Sequence, residues 1–97
     1  MKKFIMISYG FVQPTPEVME KWGAWFETID PHTVEKGAPF VGGMTRNSSG
    51  EDTALNPQEN DANGFRIVEA ENLEAAMKLL DGCPIIDRME VYEMMEM

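Results

Sequence analysis

Phe4-Ile5-Met6-Ile7-Ser8-Tyr9 (FIMISY, residues 4–9) lies between Lys3 and Gly10, and its reading decides the fold. Side chains alternate across a strand, so Phe4 and Met6 point one way and Ile5, Ile7 and Tyr9 the other. Both sets are largely apolar. A strand of this kind is buried on both faces, so the sheet that holds it needs cover on two sides.

Beyond this strand, Gly10 to Pro14 turn the chain. Thr15 is a helix cap, Pro16 suits the first helical position and Glu17 complements the helix dipole. Val18, Trp22, Trp25, Phe26 and Ile29 then recur at helical spacing. Asp30-Pro31 interrupts them, and the pattern predicts a short second helical piece from His32 to Lys36, ended by Gly37. A second strand is expected over Phe40 to Thr45, softened by Gly42 and Gly43. Arg46 to Asn63 is polar and long for a connection, which reads as a mobile loop or a lid. Gly64 to Glu69 (GFRIVE) predicts a third strand. Asn72 caps a second helix with Leu73, Ala76, Met77 and Leu80 as its inner face. Gly82 stops it, and Pro84 forbids its continuation. Met89 to Met94 is the last strand, with Met89 and Val91 on one side and Glu90, Tyr92 and Met94 on the other.

The order is β-α-β-β-α-β in a single domain spanning 1–97. Right-handed crossovers turn that order into a four-stranded antiparallel sheet with both helices on one face, the α+β ferredoxin-like arrangement. The other face stays bare, although the first strand has an apolar set for it. No segment is left over to cover that face, so a second copy of the chain is expected there, giving a homodimer through the sheet faces. A domain this small buries only about 60% of its unfolded surface alone, which argues in the same direction.

Composition narrows the partners. The chain is 43% hydrophobic and 26% charged, with a net charge of −9. That charge repels phosphate backbones and anionic membranes, so neither nucleic acid nor membrane is an expected partner. One cysteine, Cys83, and one histidine, His32, exclude an internal disulfide and the usual zinc sites within one protomer. No metal and no bound cofactor are expected. The first apolar run is too short for a signal peptide or a membrane span, and the expected location is the cytoplasm.

Three stretches resemble one family. They are MKKFIMISYG followed by PTPEVMEKWGAWF, then KGAPFVGGMTR, then NGFRIVEAENLEAAMKLLDGCPII followed by MEVYEM. Together they resemble the YCII-related (DGPF-type) family of small dimeric α/β-barrel proteins, with 47–62 the main gap. The resemblance implies two facing four-stranded sheets and a cleft in each protomer between sheet and helices. Some members of that family use a histidine in the first helix and an aspartate before the proline that follows the second. Those positions fall near Trp25 and on Cys83 here, and the literal DGPF motif is missing. The resemblance therefore brings no catalytic pair to this chain.

Several side chains are candidates for chemistry. His32 is the one group that titrates near neutrality without perturbation, and Asp30 and Glu35 are close in sequence, so it is the candidate proton carrier. Tyr9, Trp22, Trp25 and Phe26 are candidate walls of a small-molecule pocket; the same spacing also serves a core. Arg66 is either an anion clamp in that pocket or the cross-strand partner of Glu90 or Glu69. Cys83, near a helix carboxyl end, reads as an inert thiol. The nine methionines read as adaptable packing rather than a soft-metal site. NGFRIVEAENLEAAMKLL is also similar to part of RNA-recognition modules, but one strand aromatic, Phe65, and the acidic charge leave only a shared fold.

Three functions follow. The first is a dimer that binds a small apolar or aromatic molecule between sheet and helices. The second is a cofactor-independent isomerase, lyase or oxygenase using His32. The third is a non-catalytic accessory domain.

Overall fold

A computed structural model describes residues 1–96. Strand β1 (Lys2–Tyr9) runs through the centre of a four-stranded antiparallel sheet. Its neighbours are β5 (Ala62–Ala70) on one side and β6 (Arg88–Glu93) on the other, and β2 (Thr33–Glu35) closes the far edge beyond β5. Helix α1 (Pro16–Ile29) follows β1, and α2 (Leu73–Lys78) follows β5. The protein is thus α+β, with a strand order compatible with a ferredoxin-like fold.

The register fixes the two faces. Phe4 pairs with Val68, and Met6 with Arg66 and Val91. Ile5 pairs with Ile67 and Tyr92, Ile7 with Phe65 and Glu90, and Tyr9 with Arg88. On the first face Phe4, Met6, Val68 and Ala70 are buried together with Trp25 and Ile29 of α1 and Ala76 of α2. Both helices therefore cover one face. The face of Ile5, Ile7, Phe65 and Ile67 carries no helix, and Tyr92 on it is 54% exposed.

Local chemistry explains the helix starts. The Thr15 hydroxyl accepts from the Val18 amide, with Pro16 in the first turn. Asn72 Oδ1 accepts from the Ala75 amide at 2.8 Å. The second helix is shorter than its pattern suggests. After Lys78 the chain makes tight turns, with the Leu79, Leu80 and Asp81 amides each donating three residues back, until Gly82 at φ 83° ends them. This tightening moves the inner face. Ala75, Ala76, Leu79 and Leu80 pack inward, whereas Leu73 and Met77 are nearly half exposed.

Two further expectations are corrected between α1 and β5. A single 3₁₀ turn, Asp30–His32, follows α1, but 33–35 is a strand and not helix. The Thr33 hydroxyl donates to the Ile29 carbonyl and closes the helix end, and Thr33 and Val34 are β-branched and favour extended backbone. This strand, and not 40–45, is the second strand of the sheet. Gly37 (φ 67°) then turns so close to β5 that a Cβ would collide with the Phe65 carbonyl oxygen. Pro39 makes one bridge to Gly64. The rest of the expected strand belongs to a separate hairpin, β3 (Gly43–Arg46) with β4 (Asp52–Leu55).

The polar stretch 46–63 is therefore largely built structure. Arg46 and Asp52 close the hairpin with two hydrogen bonds, and Asn47 Oδ1 accepts from the Ser49 and Glu51 amides. Asn56 and Asp61 organise a second turn, which buries Pro57. The hairpin stands away from the sheet: Val41 at its base is fully exposed and Met44 is 67% exposed. The molecule measures 41 × 40 × 18 Å, with a radius of gyration of 14.6 Å; a compact domain of this length has roughly 12.5 Å. Met97, the last methionine, lies outside the described residues.

Candidate ligand-binding cleft

Helix α1 crosses the sheet with three aromatic side chains at positions i, i+3 and i+4. Ring centroids of Trp22 and Trp25 are 5.7 Å apart, those of Trp22 and Phe26 5.8 Å, and those of Trp25 and Phe26 5.5 Å. These are the separations of edge-to-face and tilted aromatic pairs. Trp25 turns into the core. Trp22 and Phe26 remain partly open and wall a cleft between α1 and the sheet.

The cleft has two lobes. The inner lobe, of about 420 Å³, lies over Met6, Ser8 and Arg66 and reaches Gly37 to Pro39. The outer lobe, of about 510 Å³, opens between Phe11, Val12, Met19, Val41, Ile85 and Ile86. Ser8, Trp22, Phe26, Pro39, Asn63 and Met89 border both lobes, so the two are continuous. Volumes of this size suit small organic ligands.

One polar chain marks the junction. Asn63 sits at the irregularity where the β1–β5 register shifts between Ser8 and Tyr9. The Ser8 hydroxyl donates to Asn63 Oδ1, and Asn63 Nδ2 donates to the Gly10 carbonyl. The amide is thus fixed, while the hydroxyl oxygen keeps acceptor capacity beside the apolar walls.

Arg66 belongs to the inner lobe, but its charge is engaged. It donates to Asp30 Oδ1 and to the Thr33 hydroxyl, both at 3.1 Å, and its guanidinium lies 4.5 Å from the Phe26 ring centroid. Neither Glu90 nor Glu69 is its partner. Only 12% of its side chain is exposed. It is a brace between α1, β2 and β5.

Tyr9 borders the outer lobe, yet it shares no ring contact with the tryptophans. Its strand position has the parity of Ile5 and Ile7. The Arg88 guanidinium lies 3.8 Å from its ring centroid, and Arg88 also pairs with Asp87 and Glu90. Hydrogen bonding to the Glu90 carboxylate, aided by burial, pushes the Tyr9 phenol above its ordinary range; the same bond holds the Glu90 carboxyl below its own. His32 stands apart. It is exposed on the 3₁₀ turn and borders neither lobe. Cys83 is half-buried against the core, and burial pushes its thiol up to about 12.

Sequence reading brings Trp22, Trp25, Phe26 and Arg66 to one place, as the structure does. It does not find Ser8, Asn63 or Met89. A faint signal exists for Ser8, the one hydroxyl on the inward side of an otherwise apolar strand; none exists for Asn63, which looks like loop.

Among the described residues no group of three or more His, Cys, Asp or Glu could hold a metal, and no helix is long and apolar enough to cross a membrane. The chain matches no family model, no curated protein and no solved structure.

Proposed function

We propose that this chain is a homodimeric ligand-binding protein of ferredoxin-like, dimeric α/β-barrel architecture, akin to the YCII-related family, that holds one small apolar or aromatic molecule per protomer between α1 and the sheet. The carrying observation is the continuous cleft walled by Trp22 and Phe26, with the Ser8–Asn63 pair as its main polar feature at the junction. Sites of this kind are concave and mostly apolar, with few fixed polar groups. The dimer rests on the helix-free face of Ile5, Ile7, Phe65 and Ile67, which a second sheet would bury. His32 lies outside the cleft, so the reading assigns no proton carrier.

The test is a thermal-shift screen against small aromatic and aliphatic metabolites, read together with tryptophan fluorescence. A binder raises the melting temperature by mass action and alters Trp22 emission. Trp22→Ala should abolish both effects. Silence over a broad set would shift the assignment to an accessory domain whose aromatics only pack.

A further inference from the structure

Gly23 sits in the middle of α1, where glycine weakens a helix relative to alanine. Such a glycine needs a reason. Its backbone supplies none, since it has no positive φ. Close packing supplies none either: beyond its chain neighbours and the backbone of its own helix, a Cβ there would meet no atom of the described residues within 4 Å. What Gly23 does border is the outer lobe of the cleft, on the same helix face as Met19, Trp22 and Phe26.

We infer that Gly23 is a specificity-determining residue, kept without a side chain so that a flat, uncharged aromatic ring can lie against the bare backbone of α1 between Met19 and Phe26. This rests on the ligand-binding reading above and names the ligand class for that site. The missing Cβ leaves the backbone of α1 bare where it borders the lobe. Met19, Trp22 and Phe26, which border the same lobe, supply a thioether and two π systems, the partners a flat ring packs against best. Most of the positive charge that borders the cleft is already neutralised, which leaves little to draw in an anion. Arg66 is engaged by Asp30, and Arg88 by Asp87 and Glu90. Lys36, exposed at the inner end, is the one bordering cation without an ion pair among the described residues. The chain carries a net charge of −9, so the surrounding field opposes a carboxylate. A ring hydroxyl has an acceptor in the Ser8 oxygen at the junction of the lobes. The proposed dimer covers the opposite face of the sheet, so a partner subunit does not account for Gly23.

The experiment compares the whole chain with Gly23→Ala, Gly23→Leu and, on the exposed side of α1, Ala24→Leu. The probe is 2-naphthol, with 2-naphthoate as its anionic counterpart; binding is read by tryptophan quenching, and melting temperature and sedimentation are measured without probe. Gly23→Ala is expected to raise the probe-free melting temperature by about 4–8 °C. Gly23→Leu is expected to weaken 2-naphthol at least tenfold while Ala24→Leu leaves it unchanged, and wild type should prefer naphthol to naphthoate at least tenfold. Wild type that binds 2-naphthol and loses nothing in Gly23→Leu overturns the role of Gly23 alone. Equal or better binding of naphthoate overturns the uncharged class. A lower melting temperature in Gly23→Ala, or a changed oligomeric state in Gly23→Leu, shows that the glycine serves packing and overturns the inference. Wild type that binds neither probe overturns it too, and silence extending to the metabolite screen removes the ligand-binding reading beneath it.

Discussion

The Trp25 indole nitrogen donates a 2.9 Å hydrogen bond to the backbone carbonyl of Leu79, 54 residues along the chain. This bond ties α1 to the turns that follow α2, two elements that share the same face of the sheet. It satisfies a carbonyl that the shortened second helix would otherwise leave open.

Trp25→Phe keeps an aromatic ring but removes the donor. With Trp25 only 3% exposed, the loss of volume and the unpaired carbonyl should together cost about 2–4 kcal/mol. Urea unfolding checks the size. Hydrogen exchange checks the place: protection should fall first at the Cys83 amide, whose bond to Leu80 closes the last turn.

Arg66→Lys should loosen the sheet edge. Lysine cannot hold Asp30 and Thr33 together while lying flat on Phe26. We expect a loss of about 1 kcal/mol and faster amide exchange in β2. The substitution should change the cleft's affinity for neutral ligands far less than Phe26→Ala does.

Cys83 should resist alkylation in the folded protein. With its thiol pushed up to about 12 by burial, almost none is thiolate at pH 8, and iodoacetamide should react only as the chain unfolds. The sign of the linkage follows. Between an unfolded value near 9 and the folded value near 12, the unfolded chain releases this proton and the folded chain keeps it, so stability falls as pH rises through that window. Cys83→Ala should flatten this part of the stability profile, measured as the difference between the two proteins.

Ile5→Glu and Ile67→Glu probe the helix-free face. Ile5 and Ile67 are direct cross-strand partners there. If two sheets meet on that face, either carboxylate should shift sedimentation to the monomer, with near-native circular dichroism. A dimer that survives both substitutions, or a wild-type monomer, removes the sheet-to-sheet assembly.

What was legible in the sequence follows from where the physics is local. The caps at Thr15 and Asn72, the alternation in β1 and the helical spacing of Trp22, Trp25 and Phe26 are all decided within one or two turns of chain. The segment 30–63 was not legible in this way. Thr33-Val34-Glu35 is too short for a period, and its pairing with β5 is fixed by residues some thirty positions distant. The hairpin β3–β4 carries polar residues on both strands, so no apolar alternation marks it. At the cleft, sequence spacing found the aromatic wall. The state of Arg66 was hidden because its partners lie on α1's end and β2, and Ser8 acquires meaning only beside Asn63, 55 residues away.

The strand order carries one last consequence. Every pairing in the four-stranded sheet, β1 with β5, β1 with β6 and β2 with β5, joins a strand from before the hairpin tip at Asn47–Gly50 to one from after it. Among the described residues, neither half of the chain contains a sheet pairing of its own. During synthesis the first half must therefore wait, unpaired, until β5 has left the ribosome, and folding is governed by slow, non-local closure. A protein cut at the tip becomes two fragments that have only each other to complete the sheet: each alone should lack it, and mixing them should restore it, as circular dichroism would show. That makes the exposed tip a natural position at which to split the chain into a complementation reporter.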